Sequence, residues 1–179
     1  MQFSKAFLWS LLLCFSLGSI AQRSVDLSNK NLVSVPNSLR SNQELEELIL
    51  TGNPLKSLPD WIAEFPHLNK VVLDEVITLP VSASFQLLSK CVELEELSWQ
   101  RGKLVYIPVA IGNFKKLKRV NLSNNGIVKL PLIKKGIGVK QLNLSKNLID
   151  SLGFSILHFK HLNSFDLSFN PGVSNENNY

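Results

Sequence analysis

The chain has 179 residues, 45% of them hydrophobic and 18% charged, which is enough for one domain with a hydrophobic core. Its formal net charge is +5, but the basic residues form no single stripe, so we expect no nucleic-acid partner. Only one cysteine, Cys91, lies beyond residue 21, which excludes a disulfide framework in that part of the chain.

The first 21 residues have the pattern of a secretory signal peptide. Lys5 is followed by an apolar run over residues 6–17, and the small residues Ser19 and Ala21 precede a predicted cleavage before Gln22. The alternative is a transmembrane anchor, but the run is shorter than the roughly 20 residues that span a bilayer. No later stretch is apolar enough to cross a membrane, so we expect a secreted, periplasmic or cell-surface protein with no integral span after cleavage.

From residue 22 onward one side-chain pattern recurs about every 23 residues. The most regular copy begins at Leu45 and reads LxxLxLxxNxLxxLPxxIxxF. We assign residues 22–173 to a repeat domain and residues 174–179 to a polar tail. The first unit is degraded, as expected of a cap, and the last is incomplete. The seven units begin at Gln22, Leu45, Leu68, Leu94, Leu117, Val139 and Leu162.

This pattern resembles the leucine-rich repeat of the 23-residue type. The resemblance implies an α/β fold: a right-handed, curved solenoid with a parallel β-sheet on its concave face and short helical or irregular returns on its convex face. The alternation within LxxLxLxx independently predicts a short strand, and the apolar spacing after Leu-Pro predicts one helical turn. Many secreted animal and plant members carry cysteine-clamped caps, and their absence here favours an exported bacterial protein.

An asparagine position follows most of the predicted strands. Its amide can pair with turn backbone that would otherwise be buried without a partner. Lys30, Val76 and Gly102 interrupt this series, so we expect looser turns around the third and fourth units. The structural asparagines are Asn53, Asn125, Asn147 and Asn170.

The third unit is longer than the others, and the extra residues predict a helix over 81–90 with Phe85 and Leu88 facing inward. Cys91 takes the position that phenylalanine holds in other units. It is therefore predicted to be a small buried hydrophobic residue rather than a reactive thiol.

No group of residues has the spacing of a catalytic or metal site. His158 and His161 are three apart, but a zinc site needs a further ligand and none is near them in the repeat. The acidic pairs at 46–47 and 95–96 recur because they flank the same leucines, which indicates solvated strand positions. We expect no enzyme activity and no cofactor.

The strand positions that point away from the core form a predicted concave binding face. Ile49 and Val72 are adjacent apolar residues on an otherwise polar surface, an arrangement typical of a protein-binding patch. Acidic residues concentrate in units two to four and basic residues in units five and six. The alternative is a solvated face with a drift in charge. The predicted partner-binding residues are Glu47, Ile49, Lys70, Val72, Asp74, Glu96, Lys118, Arg119, Asn121, Gln141 and Asn143.

The resemblance implies binding without catalysis, and we expect a protein partner. Two alternatives stay open: an N-terminal fragment of a larger surface or receptor-like repeat protein with a mainly structural role, and an intracellular scaffold like the Ras-group repeat proteins. The uncovered last strand, with Leu162, Phe165 and Leu167, predicts self-association through the C-terminal edge. Asn121 and Asn143 each begin an Asn-Leu-Ser acceptor for glycosylation.

Overall fold

Seven short parallel strands form one open sheet in the computed structural model, which describes residues 22–133 and 137–173. The strands follow one another in the sheet in the same order as in the sequence. The predicted signal peptide and the polar tail lie outside the described residues. The strands are β1 Ser24–Asp26, β2 Glu47–Ile49, β3 Lys70–Val72, β4 Glu96–Ser98, β5 Arg119–Asn121, β6 Gln141–Asn143 and β7 Ser164–Asp166.

Each strand pairs with the next so that equivalent repeat positions lie side by side. Glu47 is opposite Lys70 and Ile49 is opposite Val72, and the same register continues to β7. The central residue of each inner strand is buried, whereas its two neighbours face outward, as alternation along a strand requires. The buried central residues are Leu48, Val71, Leu97, Val120 and Leu142. This confirms the predicted parallel sheet.

The returns between strands are mostly single helical turns that begin after a proline. Pro59 and Pro108 have φ angles of −74° and −61°, close to the value that the pyrrolidine ring imposes and suited to the start of a helical turn. In the third unit an α-helix, α1 Val81–Leu88, takes the place of the turn and ends two residues before the predicted end. The 3-10 helices are Asn37–Ser41, Asp60–Glu64, Val109–Asn113, Gly153–His158 and Pro171–Val173.

The longer third unit places an aromatic cluster in the core. Phe85 of α1 is fully buried, stacks on Trp99 at 6.1 Å and meets Phe114 edge-on at 6.2 Å. Cys91 is also buried, and desolvation raises the pKa of its thiol to about 12. At neutral pH this thiol is therefore protonated and acts as a core residue, as its repeat position predicted.

Asparagine side chains join successive turns. The amide of Asn53 donates to the carbonyls of Leu27 and Leu50, both at 2.8 Å, while its oxygen accepts from Leu32 N–H at 3.0 Å. One side chain thus pairs backbone groups of its own unit with those of the preceding unit. Equivalent bonds are made by Asn125, Asn147 and Asn170.

In the third and fourth units, which lack this asparagine, the turns are tightly packed rather than loose. Trp99 Nε1 donates to the carbonyl of Val76 at 2.8 Å, and Val76 itself is fully buried. A Cβ atom at Gly102 would lie 2.4 Å from the Trp99 ring, so only glycine leaves room for the indole. Contrary to the expectation of looser turns, a tryptophan in a leucine position occupies the space there.

Candidate functional site

The outward strand side chains form two rows across the sheet, which together we call the concave face. Most of the predicted partner-binding residues lie in these rows, while Asp74 follows β3 and Lys118 precedes β5. One row consists of Ser24, Glu47, Lys70, Glu96, Arg119, Gln141 and Ser164, and the other of Asp26, Ile49, Val72, Ser98, Asn121, Asn143 and Asp166.

The concave face contains a hollow of about 420 Å³ over strands β3 to β7, and most of the residues that line it are polar. The structure therefore brings together about half of the predicted residues, in the C-terminal part of the sheet. Glu47, Ile49, Val72, Asp74 and Lys118 do not line it. The predicted residues that line the hollow are Lys70, Glu96, Arg119, Asn121, Gln141 and Asn143.

The apolar pair lies beside the hollow. Ile49 and Val72 are register partners on β2 and β3, and both side chains are half-buried. Next to Val72, Asp74 accepts hydrogen bonds from the Ser98 hydroxyl at 2.7 Å and from the Gln100 N–H at 2.8 Å. This carboxylate is thus held in place by the neighbouring unit.

Opposite charges on the concave face pair between adjacent units. Lys70 lies 2.6 Å from Glu47, and Lys118 lies 2.5 Å from Glu95, while Arg119 pairs with Glu96. The hydrogen bond from Lys70 lowers the pKa of Glu47, and the bond from Lys118 likewise lowers the pKa of Glu95. The predicted drift from acidic to basic units is therefore largely neutralised pair by pair on this face.

Two lysines close to β6 remain outside these pairs. No carboxylate of the described residues forms an ion pair with Lys140 or Lys146. The Lys146 ammonium lies 5.6 Å from the ring centroid of Phe169, a cation–π contact. Phe169 is 74% exposed and has a φ of +60°, a conformation that disfavours a bulky side chain.

That conformation recurs in every unit at the residue directly before the asparagine position. A non-glycine residue there costs roughly 1–2 kcal/mol of backbone strain. Sequence reasoning missed this feature because only some units place glycine or asparagine at the position. The residues in question are Asn29, Gly52, Glu75, Arg101, Asn124, Lys146 and Phe169, with φ between +51° and +67°.

Asn121 and Asn143 shape the turns as well as the surface. Asn121 Oδ1 accepts the Ser123 N–H at 3.1 Å, and Asn143 Oδ1 accepts both the N–H and the hydroxyl of Ser145 at 2.9 and 2.7 Å. Their NH₂ groups donate to no other atom of the described residues. Each amide is thus fixed in orientation and keeps two donors for an incoming partner.

Elsewhere the described residues contain no group of three or more histidines, cysteines or carboxylates that could hold a metal ion. None of the described helices has the length and hydrophobicity to span a bilayer. Trp61, the alternative candidate on the convex side, is half-buried and packs edge-on against Phe65 at 5.7 Å.

Comparison with known proteins agrees with this architecture. The family model described as Leucine Rich Repeat matches residues 44–65, the most regular unit. The chain is 30% identical over 140 residues to the probable inactive serine/threonine-protein kinase roco10 of Dictyostelium discoideum, and this alignment covers 76% of the chain but only 5% of that much longer relative.

Two solved structures share the fold. A leucine-rich repeat protein of Leptospira interrogans superposes with a TM-score of 0.64 at 22% identity, over 83% of this chain and 43% of that one. The leucine-rich repeat domain of the type III effector XopL superposes with a TM-score of 0.66 at 20% identity, over 85% of this chain and 54% of that one. The sheet, the returns and these likenesses together show that the chain is a leucine-rich repeat solenoid.

Proposed function

We propose that this chain is an exported, non-catalytic binding module that recognises a protein partner through its concave face. The observation that carries the proposal is the pair of outward rows on the sheet. The core is built from the alternate strand residues and the returns, so the hydrophobic core does not depend on the identity of the side chains in these rows. A surface free to vary over a rigid scaffold is suited to recognition.

The composition of the face favours a protein over a small molecule. Ile49 and Val72 offer a dry contact, while the hollow beside them offers fixed amides at Asn121 and Asn143. An apolar contact bordered by polar groups matches the usual anatomy of a protein interface. The hollow is open and shared by five strands, whereas small-molecule sites are mostly enclosed and apolar.

The unpaired lysines support a partner with a complementary surface. Lys140 directly precedes β6 and Lys146 follows it by three residues, at the C-terminal side of the hollow. Charges at the edge of an interface mainly steer association and set its salt dependence. We therefore expect an acidic region on the part of the partner that covers the last units.

Export is supported by the sequence of the first 21 residues, with Lys5, the apolar run and the small residues before Gln22. We infer a bacterial source from the lack of cysteine-clamped caps, since Cys91 is the one cysteine beyond residue 21.

The test is affinity capture from the native extracellular fraction with the chain that begins at Gln22, followed by mass spectrometry. The variant carries Ile49→Asp with Val72→Asp. Two carboxylates in an apolar contact should abolish capture of the partner, while the circular dichroism spectrum and thermal midpoint stay close to those of the wild type.

The matched control is Val33→Asp with Ile77→Asp, which also places two aspartates at exposed apolar positions but in the return segments. The control should capture the partner as well as the wild type does. Undiminished capture by the Ile49 and Val72 variant would place the site elsewhere, with the convex region around Trp61 as the next candidate.

A charge-reversal variant distinguishes residues that speed association with the partner from residues that hold the partner in place. Reversing Lys118 and Arg119 also leaves Glu95 and Glu96 without their partners, so Lys140→Glu is the cleaner variant. We expect Lys140→Glu to slow association and reduce its salt dependence, with little change in the dissociation rate.

A further inference from the structure

An apolar groove of about 630 Å³ lies among the return segments of units three to six, away from the strands. Four large side chains in its lining are largely exposed: Tyr106 at 45%, Val109 at 65%, Leu132 at 73% and Phe154 at 83%. Single exposed apolar residues are ordinary on a protein surface, but several that converge in one groove mark a contact site.

The groove follows from an irregularity in the repeat. The fourth and sixth units form helical turns at Val109–Asn113 and Gly153–His158, and both turns contribute to the lining. The fifth unit is one residue shorter than the usual 23, and residues 129–133 of its return contain no helical turn. The groove thus lies where these non-helical residues are flanked by two helical turns.

One basic side chain lies in the groove. Lys129 is the only charged residue in its lining. It forms no ion pair with a carboxylate of the described residues. An ammonium without an ionic partner beside an apolar recess attracts an anionic side chain of a partner.

Polar groups at the rim suit a polypeptide. The Tyr106 hydroxyl and the Ser82 hydroxyl are 3.0 Å apart, and Gln86 and Ser151 also line the groove. Such groups can pair with the backbone of a bound peptide while its side chains enter the apolar part. Anionic bilayer surfaces attract clusters of several lysines and arginines, whereas the lining of the groove holds one lysine, so a peptide is favoured over a membrane.

We propose that this groove binds a peptide segment of another protein that carries apolar side chains with acidic residues beside them. The apolar side chains contact Val109, Leu132 and Phe154, and the acidic residues lie near Lys129. This surface is separate from the concave face, so the module can hold two partners at once. The proposal does not depend on the function assigned to the concave face.

The experiment pans a display library of random linear peptides against the chain that begins at Gln22. Selected peptides should be enriched in aspartate and glutamate together with leucine, phenylalanine and similar residues. Their affinity, measured by fluorescence anisotropy, should fall at least about tenfold in Leu132→Ser with Phe154→Ser, because the loss of central apolar contacts has an effect of that size. Lys129→Glu should lower the affinity for the same peptides, and panning against this variant should yield fewer acidic peptides.

The control is Val33→Ser with Ile77→Ser, which removes two exposed apolar side chains outside the groove and should leave the affinity unchanged. Because all four serine positions are exposed, each variant should keep the wild-type melting temperature. Peptides without an acidic excess, or peptides that bind the Leu132 and Phe154 variant as tightly as the wild type, would overturn the proposal. Two other results would also overturn it if no selected peptide depends on the groove. One is binding to vesicles of anionic phospholipid that the Leu132 and Phe154 variant loses. The other is a dimer, detected by light scattering, that the same variant does not form.

Discussion

At the scale of single residues, two neighbouring side chains at the end of β5 have opposite roles. Leu122 is fully buried after β5, whereas Asn121 lies on the concave face and contributes a hydrogen bond to the turn. Leu122→Ala should cost about 2–5 kcal/mol of unfolding free energy through the cavity that it leaves. Asn121→Ala should cost about 1 kcal/mol, the value of one net hydrogen bond. Thermal or urea unfolding measures both, and equal losses would contradict the alternation.

The asparagine position gives a second residue-scale prediction. Asn147 is buried and bonds to Leu122, Leu144 and Ile127, so its removal leaves backbone groups of two units without partners. We expect Asn147→Ala to cost at least about 2 kcal/mol, since each unpaired buried group costs about 1–3 kcal/mol. Asn163→Ala, at an exposed position, is the control for urea unfolding. If Asn147→Ala lowers the free energy of unfolding by no more than the control does, water must replace the hydrogen bonds of the amide.

The burial of single residues was largely predictable from the repeat, because each leucine position has the same environment in every inner unit. The way in which the third and fourth units replace their absent asparagine was not predictable. Trp99 reaches Val76 across the boundary between two units, and Gly102 makes room for its ring. This substitution depends on side-chain volume in three dimensions, which no single repeat position encodes.

At the scale of elements, β7 differs from the inner strands because no further strand pairs with it within the described residues. In the inner units, N–H groups donate forward to the next strand, as Leu144 does to Asp166 and Lys146 does to Ser168, both at 2.8 Å. The equivalent N–H groups of Leu167 and Phe169 have no following strand within the described residues. Such an edge is open to another chain.

Hydrogen exchange tests this edge. The amides of Leu167 and Phe169 should exchange far faster than those of Leu144 and Lys146 at low protein concentration, because their donors face solvent. If the edge pairs with a second molecule, protection should rise with concentration along with the mass measured by light scattering. Full protection of both amides in a strict monomer would contradict this reading.

The strands and returns were predictable because proline positions start the turns and the leucine alternation fixes the strands. The end of α1 was overestimated by two residues, since the residues after Leu88 have no signal that ends a helix. The location of the hollow and of the apolar groove could not be read from the pattern. Both depend on how neighbouring units pack in three dimensions, and the groove lies where the shortened fifth unit stacks between its neighbours.

At the scale of the whole molecule, the first prediction concerns the mature chain. Mass spectrometry of the protein from its extracellular or periplasmic fraction should find an N-terminus at Gln22, which follows from the small residues before the predicted cleavage. Recovery of a soluble cytosolic protein that retains Met1 would contradict export.

The central claim is that the concave face is the surface that contacts the partner. Site-specific photo-crosslinking tests it without disturbing the fold: a photoreactive residue replaces Ile49, Gln141 or, for comparison, Val33 in the return of the first unit. After irradiation in the native extracellular fraction, positions 49 and 141 should form adducts with one and the same protein, and position 33 should form none. Adducts from position 33 with none from positions 49 and 141 would show that the partner binds another face.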